Sequence, residues 1–141
     1  EAGRKGKAIG WSAGGNRFHV ATFPDLKPFC EAHLGKFPPQ LRPLDVVLLH
    51  GFLLEELLGI SPEAVTAGQH VKYYKDPAKA AADLSAGTIQ AAFFLNPVSI
   101  AEFRDVSLSG HVLPQKATFF YPKIGTGLLI FPVSGDDRVP G

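Results

Sequence analysis

The stretch His111-Val112-Leu113-Pro114-Gln115-Lys116-Ala117-Thr118-Phe119-Phe120-Tyr121-Pro122-Lys123 gathers an amide, two ammonium groups and a hydroxyl among aromatic rings. Donors of this kind hold a phosphate or a carboxylate, and charge-assisted hydrogen bonds to an anion are the strong ones. Pro114 and Pro122 restrict the backbone, so Gln115, Lys116, Thr118 and Lys123 are candidate anion-binding residues on a stiffened segment. A strand over 118–121 puts Thr118 and Phe120 on one face and Phe119 and Tyr121 on the other. The same composition also describes a proline-bounded edge strand whose lysines reach out to water.

Other chemistry-bearing patterns are weaker. Gly10-Trp11-Ser12-Ala13-Gly14 has the G-x-S-x-G spacing of a nucleophile elbow, which requires a strand turning sharply into a helix. Here an alternating strand pattern continues beyond the glycines, so the motif reads as a hairpin. His19, His33, His50, His70 and His111 stand in no metal-ligand spacing, and Cys30 has no cysteine partner. His50 reads as a hydrogen-bonded core or interface residue. Lys123-Ile124-Gly125-Thr126-Gly127 lacks the Gly-Lys-Ser/Thr ending of a phosphate loop and reads as a bend into a last strand. The Glu55-Glu56 and Asp136-Asp137 pairs are sequence neighbours that form no acid–base dyad.

The elements that must position these residues follow from hydrophobic period and punctuation. Residues 1–7 are a small, basic, flexible lead-in, 8–133 a single α+β domain, and 134–141 a polar tail. Alternation over 8–23, broken at Ala13-Gly14-Gly15-Asn16, predicts an N-terminal hairpin. A short helix fits Asp25–Leu34. Residues 45–58 predict a central buried helix with Asp45 as N-cap, Gly59 as left-handed cap and Ile60 folding back. Ser61-Pro62 and Asp76-Pro77 open two more helices, and Asn96-Pro97 a third that runs to about Leu108. Strands are expected at Val71–Tyr74, at Ile89–Leu95 (buried on both faces), and near Thr118–Tyr121 and Thr126–Val133. The strand–helix–strand units predict a parallel crossover in a mixed sheet.

Composition sets the limits. The apolar fraction of 45% with 19% charged residues excludes a disordered chain. No apolar run approaches the ~20 residues that span a bilayer. Fourteen basic against 13 acidic residues give no footprint for nucleic acid or an anionic membrane. A single cysteine excludes an internal disulfide framework and fits a reducing compartment. The chain has no methionine, even at position 1, which leads us to expect a piece or processed form of a longer product.

Leu113–Lys123 followed by Thr126-Gly127-Leu128 resembles the C-terminal signature of domain-of-unknown-function family 1015. Leu44-Asp45, Leu57-Leu58-Gly59-Ile60 and Ala91-Ala92-Phe93-Phe94-Leu95-Asn96-Pro97 are similar to that family in order and spacing, so the likeness runs from about Arg17 to Ile130. The resemblance implies a bacterial or archaeal cytoplasmic protein of unproven activity, loosely ParB-like, in a superfamily that includes free-serine kinases. Full-length members carry an Asp-Gly-His-His-Arg motif before this region, and this chain lacks it. Ala117 stands where relatives often have serine, which puts any hydroxyl contact at that position in doubt.

Two readings remain open at this point. In one, the chain is the C-terminal domain of a phosphotransferase-type enzyme and supplies an anion- or phosphate-binding surface. Its partners are then the N-terminal domain of the same protein and a small phosphorylated or carboxylate ligand, with a homo-oligomer left open. In the other, it is a structural or oligomerisation module without a catalytic role, packing helix 45–58 and the aromatic strand against a partner. Neither reading names a cofactor, a metal, a nucleic acid or a membrane.

Overall fold

The period-two alternation around Ala13-Gly14 forms an antiparallel hairpin of β1 (Lys7–Ser12) and β2 (His19–Phe23), in register from Lys7 opposite Phe23 to Trp11 opposite His19. This is a computed structural model, and it describes residues 7–14, 17–23, 25–114 and 116–118. Gly14 has φ of 93°, a turn conformation that glycine adopts without penalty. Ser12 is almost fully buried; its hydroxyl donates to Arg17 O at 2.7 Å and accepts from Gly14 N at 3.3 Å. It staples the turn and is no exposed nucleophile. Lys7 belongs to β1, so the part of the lead-in that reached residue 7 is corrected.

On its other edge β1 pairs antiparallel with β3 (Ala92–Phe94), giving the order β2-β1-β3. Helices accompany this three-stranded sheet, and the fold is α+β with an N-terminal hairpin. Two strand expectations need correction. Ile89–Leu95 shortens to three residues, with Phe93 and Phe94 half-buried and Leu95 exposed, so it is not covered on both faces. Val71–Tyr74 joins no ladder among the described residues, and no parallel crossover forms there. The side chains of Lys72 and Tyr74 are instead anchored to Asp83 of a neighbouring helix.

Helix α1 (Leu26–His33) buries Cys30 and sets Phe29 edge-on against Phe23 and Phe52, with centroids 5.0 and 4.8 Å apart. The central helix starts as α2 (Asp45–Val47) and continues as a π-helix over Leu48–Leu57. Asp45 is not its N-cap: Leu44 holds that position without a side-chain bond, and the Asp45 carboxylate points elsewhere. Bonds from i to i+5 widen the coil and change which residues share a face. A 3.6-residue period therefore misplaces Leu57 and Leu58, which are 60% and 56% exposed. The end is as expected, with Gly59 at φ 66° and Ile60 N donating to Leu54 O at 2.8 Å.

Helix α3 (Pro62–Thr66) is capped by Ser61 accepting from Ala64 N. Helix α4 (Pro77–Ser85) is capped by Asp76 accepting from Ala78 N. Helix α5 (Ile100–Leu108) begins three residues after Pro97, because Ser99 and Glu102 form a capping box there. Ile9, Leu34, Leu44, Val47, Leu48 and Val106 are the most deeply buried side chains and join sheet, central helix and α5 into one core. Among the described residues no helix is long and apolar enough to cross a membrane. The expected strand 126–133, the glycine-rich run 123–127, the tail 134–141 and most of 118–121 lie outside the described residues.

Candidate functional site

A polar knot centred on the buried carboxylate of Asp45 ties β1, the central helix and α5 together beside the site. Asp45, 4% exposed, accepts at Oδ2 from the backbone and side-chain nitrogens of Asn96, at 3.0 and 2.8 Å. Asn96 Nδ2 also donates to Ala8 O at 2.9 Å, tying β1 to the chain leaving β3. Lys7 Nζ lies 3.0 Å from Asp45 Oδ1; that oxygen has no well-directed donor, so the contact is ionic. The same ammonium donates to Glu102 at the first turn of α5. Burial works against the Lys7 charge, but its hydrogen bond to Glu102 and its ionic contact with Asp45 outweigh this and raise its pKa above 10.5. Burial likewise disfavours the Glu102 charge, and donation from Lys7 and Ser99 overcomes it and holds the carboxyl below its ordinary 4.5.

Around this knot runs an open groove of about 1210 Å³, bounded by the central helix, residues 68–75, residues 88–98 and Lys116-Ala117. Its apolar wall includes Val46, Leu49, Leu54, Ile60 and Phe93. Among the described residues its lining includes Lys72, Lys75, Lys116, His50 and His70 beside neutral polar residues such as Gln69, Gln90 and Asn96, and no aspartate or glutamate. Asp83, just outside the lining, accepts from Lys72 Nζ at 2.8 Å and from Tyr74 Oη at 2.5 Å. Those bonds raise the Lys72 pKa and lower that of Asp83.

His50, on the π-helix, is half-buried, and burial pushes its pKa below the ordinary 6.5, so at pH 7 the ring is neutral. Tyr73 Oη lies 3.5 Å from His50 Nε2, and burial raises the phenol pKa so that it keeps its proton. The sequence assigned His50 to the core or an interface; its place on the groove was hidden because π-helical geometry carries no sequence signature of the kind capping boxes have. His70 lines the same groove, whereas His19 stacks on Trp11 at 4.6 Å and His33 Nδ1 is 2.8 Å from Glu56. Among the described residues no group of three His, Cys, Asp or Glu side chains could hold a metal ion.

Of the four residues singled out as anion ligands, Lys116 lines the groove. Thr118 is exposed and is not part of the groove lining, while Gln115 and Lys123 lie outside the described residues. Lys116 sits in a turn closed by Ala117 N donating to Pro114 O at 3.2 Å. At φ 64° it is the one non-glycine residue with positive φ among the described residues. Such a conformation costs an L-residue about 1–2 kcal/mol, and strain of this kind concentrates at functional sites. Ala117, half-buried, packs against the core beside it. Compared with models of protein families, with curated proteins and with solved structures, the chain matches none. The likeness to family 1015 therefore rests on its ordered motifs alone.

Proposed function

We propose that this chain is the C-terminal domain of a cytoplasmic, ParB-like, phosphotransferase-type enzyme of family 1015, and that its contribution is an anion-binding groove. The observation that carries this reading is the groove lining, which among the described residues gathers Lys72, Lys75, Lys116 and two histidines and no carboxylate, in a chain of net charge +1. Phosphoryl transfer consists largely of positioning and charge stabilisation, which is what such a surface supplies. Among the described residues no serine, threonine or cysteine side chain is hydrogen-bonded to a histidine, so the nucleophile and base of such a reaction are assigned to the rest of the protein. Calorimetric titration of the 141-residue chain with inorganic phosphate and phosphoserine tests this. Binding should weaken about tenfold in Lys116→Ala, the value of one charge-assisted hydrogen bond, and less in Thr118→Ala. No heat with either ligand, or unchanged affinity in Lys116→Ala, overturns the reading.

A second reading, a structural module, is favoured by one observation. Ile100 and Leu108 of α5 and the following Val112 are 88%, 79% and 86% exposed, large apolar side chains suited to contact with the N-terminal domain of the same protein or a second copy.

A further inference from the structure

The rings of His50 and Tyr73 are inclined by only 14°, with centroids 6.3 Å apart, while Tyr73 Oη and His50 Nε2 approach to 3.5 Å. Nearly parallel rings whose edge atoms are that much closer than their centres are offset sideways, not stacked face to face. They make a stepped shelf of nearly parallel rings, and both residues line the groove. Tyr73 is 47% exposed, so the shelf is open to a ligand. Lys72 Nζ and Tyr74 Oη both reach Asp83, which lies just outside the groove lining. A π-surface with lysines along the same groove and, among the described residues, no carboxylate in the lining is a two-part recognition surface.

We infer that the groove binds a planar heteroaromatic ring carrying a phosphate, the ring lying on the His50–Tyr73 shelf and the phosphate on the groove lysines. This rests on the anion-binding reading and adds the class of the ligand. A neutral His50 suits stacking, because the ring carries no charge to be desolvated when covered. Stacking of a base on an aromatic side chain is a large, sequence-tolerant effect, and lysines along a groove supply the phosphate contacts. A mononucleotide and a phosphorylated pyridine share this chemistry.

The test is calorimetric titration of the 141-residue chain with AMP, pyridoxine 5′-phosphate, ribose 5-phosphate and adenosine. At least one of the two ring-bearing phosphates should bind about fivefold or more tighter than ribose 5-phosphate, and whichever does names the ring. Tyr73→Ala should abolish that preference, Tyr73→Phe should keep it, and Lys116→Ala should weaken all three phosphates alike. Circular dichroism of each variant reports whether it folds, and Tyr73→Phe keeps the ring if the alanine variant does not. Ring-bearing phosphates no tighter than ribose 5-phosphate, with Lys116-dependent binding of all, overturn the shelf and leave the anion site standing. Adenosine binding that is lost in Tyr73→Ala, with no phosphate preference, upholds the ring half and overturns the phosphate half. No binding of any of the four overturns both.

Discussion

Asp45 shows how a residue can be read correctly as important and wrongly as to its task. At the head of an apolar run an aspartate is a natural N-cap, because its carboxylate can accept from free amides of the first turn. Here that carboxylate is buried and spent on Asn96 and Lys7, contacts 51 and 38 positions away in the chain that local sequence cannot display. Lys7 shares its charge with Glu102, and this gives the molecule a pH signature. Glu102 has a folded pKa below 4.5, so its contribution to stability is present above that value and lost as pH falls through the folded pKa. Lys7, raised above 10.5, contributes below that value and loses its contribution as pH rises beyond it. Urea unfolding should therefore give a plateau through neutral pH and a decline on going from pH 5 to pH 3. Glu102→Gln keeps the side-chain carbonyl that accepts from Ser99 but removes the titration. Its decline should be shallower than that of the parent; an equal slope would assign the acid limb to other carboxylates.

The elements fall into two groups by the kind of signal that specifies them. Caps and prolines are local devices, so the starts of α3 at Ser61-Pro62 and α4 at Asp76-Pro77 were legible, as were the Gly59 terminus and the hairpin around Gly14. Pairing partners and helix type depend on the rest of the molecule. The antiparallel match of Ala92–Phe94 to β1 and the missing ladder at Val71–Tyr74 were accordingly not legible. The π-helix is the clearest case, since nothing in Leu48–Leu57 announces it, and with it went the placement of His50 on the groove. Gly51 locates one constraint on this element. A Cβ there would lie 2.7 Å from both Leu34 Cδ2 and Phe37 Cε2 and 3.2 Å from Phe37 Cζ. Gly→Ala inside a helix ordinarily gains up to ~1 kcal/mol of propensity. Overpacking a filled core costs ~1–3 kcal/mol, and Leu34 is fully buried and has little room to move. Gly51→Ala should thus be destabilising by about 1 kcal/mol, measured by denaturant midpoint. A midpoint at or above the parent's would show that Phe37 swings aside.

At the scale of the whole molecule, a balanced net charge conceals segregation. Fourteen basic and 13 acidic residues nearly cancel, yet among the described residues the groove lining takes lysines and histidines and no carboxylate, with Lys72 paired to Asp83 just outside it. Net charge argues against nucleic acid and an anionic membrane, and it leaves a small anion open because it averages over faces that such a ligand meets one at a time. The same groove holds Lys116, whose left-handed backbone would be unstrained for glycine. On the anion-binding proposal, the strain at φ 64° is the cost of presenting an ammonium group at this turn. Glycine at this position would recover ~1–2 kcal/mol of left-handed strain. It would give back ~0.4–1 kcal/mol through the added freedom of the unfolded chain. Lys116→Gly should therefore unfold at the same temperature as the parent or up to a few degrees higher, while phosphate binding falls about tenfold. Opposite movements of stability and affinity at one residue are the mark of a strained functional position. A clear loss of stability in Lys116→Gly would mean that the lysine side chain holds the turn together, and a gain with binding intact would mean that the anion meets other lysines of the groove.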